Sequence, residues 1–86
     1  MSNYVVYMIR CEDNTIYTGI TTDVERRFKE HQEGGSKGEK YTRVHRPLKI
    51  EKVIDAKDRS EASKLEHKIK RMTKEEKEMY IKRDTD

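Results

Sequence analysis

Four side chains in the first third of the chain carry the chemistry: Tyr7, Tyr17, Arg27 and His31, in the run YVVYMIRCEDNTIYTGITTDVERRFKEH. Phenol and imidazole can give and take protons, and a guanidinium presents a planar fork of donors to an anion. Gathered on one surface, these groups make a polar site rather than a core. Whether they gather depends on the strands and helix that carry them.

Tyr4 to Cys11 is rich in β-branched and aromatic residues and predicts a strand. Asp13-Asn14 is turn chemistry, and Thr15 to Thr21 predicts a second strand, antiparallel to the first. Strand side chains alternate between faces, so loop parity decides which residues share a side. A three-residue loop of Asp13, Asn14 and Thr15 pairs Cys11 with Tyr17. Val5, Tyr7 and Ile9 then face the same way as Tyr17, Gly19 and Thr21. Val6, Met8, Ile16 and Ile20, with Thr18 among them, form the opposite, apolar face. A two-residue loop would separate the two tyrosines and mix the faces, so the odd loop is expected.

Thr22 with Glu25 three residues later reads as a helix capping box, with Asp23 adding a favourable charge to the first turn. At about 100° per residue, Arg27, Phe28 and His31 all lie within roughly 60° of Val24. A helix that only packed would not put an unpaired cation on its buried face, where desolvation is costly. The helix therefore aims Arg27 and His31 back at the tyrosine face. Each residue also has a plainer reading. The tyrosines can pack across the hairpin, Arg27 can lay its stem on the core and reach outward, and His31 can complement the helix dipole. Their joint placement is what those readings leave unexplained.

Gln32 to Pro47 is a long connection, broken by Gly34, Gly35 and Gly38. It carries Lys37, Lys40, Arg43, His45 and Arg46, with Tyr41 interleaved. Such cations can neutralise phosphates while a tyrosine ring stacks on a base; the plainer reading is a solvated loop with Tyr41 folded onto the core. Leu48 to Asp55 alternates as a third strand, with Leu48, Ile50 and Ile54 on one side. Asp58 or Ser60 can cap a second helix striped by Ala62, Leu65, Ile69 and Met72. Thr73 and Glu76 form another capping box, opening a last helix to about Ile81 with Met79, Tyr80 and Ile81 as its anchors. Glu66 borders the apolar stripe of the second helix and can reach inward. It is also four residues before Lys70, the spacing of an ordinary surface pair.

The 86 residues predict one small domain, core 4–81 with a frayed tail at 82–86, and a shallow surface site rather than a deep cleft. The chain is 43% charged and 31% hydrophobic, with 20 basic against 17 acidic residues and a net charge of +3. That balance leans toward an acidic partner. One cysteine, Cys11, excludes an intrachain disulfide and suits a reducing cytosol. With no signal peptide, membrane span or lipidation motif, a cytoplasmic location and no membrane partner are expected. His45, His67 and Cys11 lack metal-ligand spacing, so no zinc site is indicated.

The residues resemble the GIY-YIG nuclease superfamily. Val5-Val6-Tyr7 stands where type members have Gly-Ile-Tyr, and Tyr17-Thr18-Gly19 where they have Tyr-Ile-Gly. Val5 and Thr18 depart from those letters; both tyrosines and Gly19 remain. The family's helical arginine falls on Arg27, and His31 fills a position held by His or Tyr. The segments TGITTDVERRFKEH and KYTRVHRP look most like the small stand-alone, UPF0213-like bacterial branch. The resemblance runs from Tyr4 to about Ile81. It implies an α/β (α+β) fold, a three-stranded antiparallel sheet flanked by three helices in the order β-β-α-β-α-α.

It also implies a metal-dependent endonuclease hydrolysing DNA phosphodiesters, with structure-directed specificity. Tyr17, helped by Tyr7 or His31, would orient or deprotonate water, and Arg27 would stabilise the developing charge. Glu66 aligns with the family's metal-binding glutamate and would hold Mg²⁺ or Mn²⁺. Gly19, Lys37, Lys40, Tyr41, Arg43 and Arg46 would contact substrate, in a chain assumed monomeric. Two rivals stand beside this reading: a nucleic-acid-binding module of the same fold without catalysis, and an interaction partner of another nuclease.

Overall fold

The structure, a computed structural model, describes residues 3–33 and 45–83. Strands β1 (Tyr4–Cys11), β2 (Ile16–Thr21) and β3 (Pro47–Ala56) form an antiparallel sheet in the order β2-β1-β3. Helices α1 (Val24–Glu33), α2 (Arg59–Lys70) and α3 (Lys74–Lys82) complete the expected order. None of the described helices is long and apolar enough to cross a membrane.

The central strand β1 is covered on both faces. Val6, Tyr7, Met8, Ile9 and Cys11 are each no more than 1% exposed. Val6, Met8 and Ile16 pack with Ala62 and Ile69 of α2, joined by Leu65, Met72, Tyr80 and Ile81. Tyr7, Ile9 and Cys11 pack on the other side with Tyr17, Ile50, and Val24 and Phe28 of α1. The alternation read from the sequence thus divides the helices, one on the tyrosine face and two on the apolar face.

The hairpin has the expected parity and loop length but a register shifted by two residues. Ile9, not Cys11, lies opposite Tyr17, and Cys11 donates its N–H to Thr15 O at 2.9 Å. The loop is therefore Glu12-Asp13-Asn14. Asp13 Oδ1 accepts the Thr15 hydroxyl at 2.7 Å, and Asn14 takes the left-handed conformation at φ 72°. A three-residue loop ending in such a residue needs a type that tolerates positive φ, and asparagine does. At the start of α1 the cap also moves by one position: Asp23 Oδ1, not Thr22, accepts the N–H of Arg26 at 3.1 Å.

Strand β3 departs further. Met8 pairs with Lys52 but Ile9 pairs with Ile50, so Glu51 is an extra residue in a β-bulge. A bulge reverses which face later residues occupy. Ile54 joins the α2 side, Ile50 joins the tyrosine side, and Leu48 is 54% exposed, so the three do not share one face as expected. Arg10 exploits the bulge: its Nε donates to Glu51 at 2.8 Å, and its NH2 donates to Glu78 of α3 at 2.7 Å. Asp58 caps α2, and the Thr73–Glu76 capping box opens α3 as expected. No residue of α3 is buried, and Met79, expected as an anchor, is 69% exposed. Arg10 therefore supplements Tyr80 and Ile81 in tying this helix down. Residues 84–86 of the expected tail lie outside the described residues.

Candidate active site

The register that places Tyr7 opposite Gly19 builds the floor of the site. The Tyr7 ring lies over Gly19 so closely that a Cβ there would sit 2.5 Å from Tyr7 Oη and 2.7 Å from Cζ. Glycine is required for lack of space, not for an unusual backbone angle. The ring so placed brings Tyr7 Oη to 3.1 Å from His31 Nε2, between groups each only 1% exposed. Tyr17 turns its ring edge-on to His31, centroids 5.2 Å apart and planes at 66°, with Tyr7 6.2 Å away. Three side chains of a kind able to exchange protons thus share one hydrophobic wall, and Tyr17 is the least buried of them.

Arg27 lies one helical turn before His31, as its spacing predicts, with its side chain 22% exposed. Its guanidinium donates to Glu30 Oε1 at 2.8 Å, while Arg26 donates to the second oxygen at 3.2 Å. The hydrogen bond from Arg27, ahead of the field of Arg26, holds the Glu30 carboxyl below its ordinary range despite an opposing desolvation. Sequence reading missed Glu30. Its signal was available, since it stands three residues after Arg27 and four after Arg26, the spacings at which helix neighbours meet.

Glu66 sits on α2, whose stripe covers the Val6/Met8 face, and pairs with Lys70 at 3.2 Å with its side chain 22% exposed. Among the described residues no group of three His, Cys, Asp or Glu could hold a metal ion. A lone carboxylate does not fit a closed protein cage. It does fit Mg²⁺, which keeps several waters and takes further oxygens from a substrate phosphate.

Of the loop residues, Lys37, Lys40, Tyr41 and Arg43 lie outside the described residues. Arg46 is exposed, and its carbonyl accepts the Glu12 N–H at 2.8 Å, fixing the end of the loop to the hairpin. His45 Nδ1 reinforces that junction through Asp13 Oδ2. The Asp13 carboxyl is held down to about 2, first by the Thr15 hydroxyl and then by His45. Thr18, between Tyr17 and Gly19, turns to the α2 side, where its hydroxyl is buried with no hydrogen-bond partner among the described residues.

Residues 3–80 match the family described as the GIY-YIG catalytic domain. A UPF0213 protein of Cronobacter sakazakii is 47% identical over 81 residues, which span 94% of this chain and 83% of that protein. One from Fusobacterium nucleatum is 46% identical over 78 residues, 91% of this chain and 76% of that protein. The solution NMR structure of a UPF0213 protein from Bacillus halodurans aligns with a TM-score of 0.59 at 38% identity, over 93% of this chain and 83% of that one.

Proposed function

Because this chain belongs to the GIY-YIG family, a nuclease superfamily acting on nucleic acid, we propose that it hydrolyses DNA phosphodiester bonds with the help of a divalent metal ion. The observation that carries the reading is the Tyr7–His31 hydrogen bond with Tyr17 packed edge-on to the same imidazole. Tyr17, the least buried of the three, orients or deprotonates the attacking water. A free phenol has a pKa of roughly 10 and is a weak base at neutral pH. The Tyr17 ring stands edge-on to an imidazole 5.2 Å away between centroids, a neighbour that a plain core would not supply. Arg27, shifting from Glu30 to the scissile phosphate, stabilises charge as the bond breaks. Glu66 would hold Mg²⁺ or Mn²⁺, which would supply Lewis-acid assistance to phosphodiester hydrolysis. Lys37, Lys40, Tyr41, Arg43 and Arg46 track the flanking strand, and specificity follows DNA structure rather than sequence.

Arg27 and Glu66 are both seen in ion pairs with helix neighbours, which favours one rival: a module that binds nucleic acid without cutting it. Incubation with branched, nicked and single-stranded DNA in Mg²⁺ or Mn²⁺, with Arg27→Ala as control, separates the two. Metal-dependent cleavage lost in the variant supports the enzyme; retention of DNA with no cleavage in either metal supports the binding module.

A further inference from the structure

Beyond α2, on the side of the sheet away from Tyr7 and His31, a groove of about 770 Å³ opens between the end of α2 and helix α3. Its apolar lining comes from Met72, Met79 and Tyr80. Lys68 and Arg71 come from the end of α2 and Lys82 and Arg83 from the end of α3, all exposed. The acid among the lining residues, Glu76, turns its carboxylate onto the Thr73 N–H at 2.9 Å. The groove therefore presents four cations, none of them in an ion pair among the described residues, around a patch that folding leaves uncovered.

We propose that this groove docks an acidic amphipathic segment of a partner protein, a helix whose apolar residues enter between the methionines and whose flanking carboxylates meet Lys68, Arg71, Lys82 and Arg83. Charge selects the occupant: an apolar helix flanked by lysines would be repelled by these four cations. Methionine suits the role, because its unbranched thioether repacks around different side chains. A groove with apolar anchors between charged rims is how amphipathic helices are taken up, with residues at i, i+3 or i+4, and i+7 inserted. A single-stranded nucleic acid relies instead on successive stacking rings. Here the lining offers one ring, Tyr80, with Lys52 Nζ already 5.3 Å from its centroid. Because the groove and the tyrosine face lie on opposite sides of the sheet, occupancy of one leaves the other open. The inference does not rest on the nuclease reading.

The test uses the full chain and three fluorescent probes of similar length. Two are helical peptides with the same leucine and phenylalanine anchors, flanked by glutamates in one and lysines in the other; the third is an oligothymidine. Polarisation should show the glutamate peptide binding at least roughly tenfold tighter than the lysine peptide. The double reversal Arg71→Glu/Lys82→Glu, which leaves two cations against two anions on the rim, should erase that preference, and Met79→Ser should weaken the glutamate peptide by roughly fivefold. Methyl and ring resonances of Met72, Met79 and Tyr80 should move, with thermal unfolding unchanged in Met79→Ser because that side chain is exposed. No preference between the peptides, or a preference that survives the charge reversal, would overturn the proposal. So would oligothymidine binding that the charge reversal abolishes and that shifts the same resonances.

Discussion

Substituting Gly19 with alanine tests the geometry on which the site is built. A Cβ at this position would lie 2.5 Å from Tyr7 Oη, whereas ordinary contact begins at 3.4 Å, so the hydroxyl must retreat by about 0.9 Å. Tyr7 is 1% exposed and its hydroxyl already meets His31 at 3.1 Å, so the ring has no free volume to take up. Overpacking of this kind costs roughly 1–3 kcal/mol. Loss of the buried hydrogen bond adds about 1 kcal/mol. Against this, glycine to alanine in a strand gains roughly 0.5–1 kcal/mol in backbone terms. The sum is a destabilisation of roughly 1–3 kcal/mol, a fall in Tm of about 4–8 °C for each kcal/mol in a domain of this size. Urea unfolding measures it directly. In the Tyr7→Phe background the penalty should shrink without vanishing, because Cζ would still lie 2.7 Å from the new methyl. A Gly19→Ala protein as stable as the parent, or more so, would refute the packing argument.

Three further outcomes follow from single interactions. Arg10, through its hydrogen bond, holds Glu78 down to about 2 from an ordinary 4.5. The stability this ion pair supplies is complete above the ordinary value and fades as pH falls toward about 2, so Glu78→Gln should lose less stability than wild type between neutral pH and pH 3; parallel loss in both proteins would contradict it. The Thr18 hydroxyl is buried without a partner among the described residues, so the near-isosteric Thr18→Val should raise stability by about 1 kcal/mol in urea unfolding; a destabilised variant would show that the hydroxyl has an unseen role. Glu66→Gln should keep the fold while removing a hard anionic donor. In an NMR titration with Mg²⁺, shifts near Glu66 that are identical in wild type and variant would sink the metal assignment.

Much of this arrangement was legible in residue order. β-branched residues and turn chemistry located the hairpin, and parity alone put Tyr7 and Tyr17 on one face. The spacing of Val24, Arg27, Phe28 and His31 aimed α1 at that face, and His31 is indeed buried there. What failed were features set by pairs distant in sequence. The turn, by contrast, sits one residue earlier than expected for a local reason, because Asp13 binds the Thr15 hydroxyl and Asn14 accepts positive φ. The β3 faces came out wrong because a bulge at Glu51 costs no recognisable residue type, only a partner for Arg10. Arg10 itself was a missed signal: it shares the inward parity of Val6 and Met8, where an arginine demands acids. Glu51 and Glu78 supply them. The ion pair of Glu66 with Lys70 was legible as a spacing, whereas its metal role rests on the resemblance.

The central claim is that Tyr17 takes part in bond cleavage and is not simply a packed ring. Single-turnover cleavage of DNA with excess protein in Mg²⁺ tests it most directly, comparing wild type with Tyr17→Phe and using thermal unfolding to confirm the fold. The substitution removes one oxygen and leaves the ring edge against His31. A positioned proton-transfer group is worth ~10²–10⁴-fold in rate, and a loss of that size is expected. Cleavage by Tyr17→Phe at the wild-type rate would contradict the account.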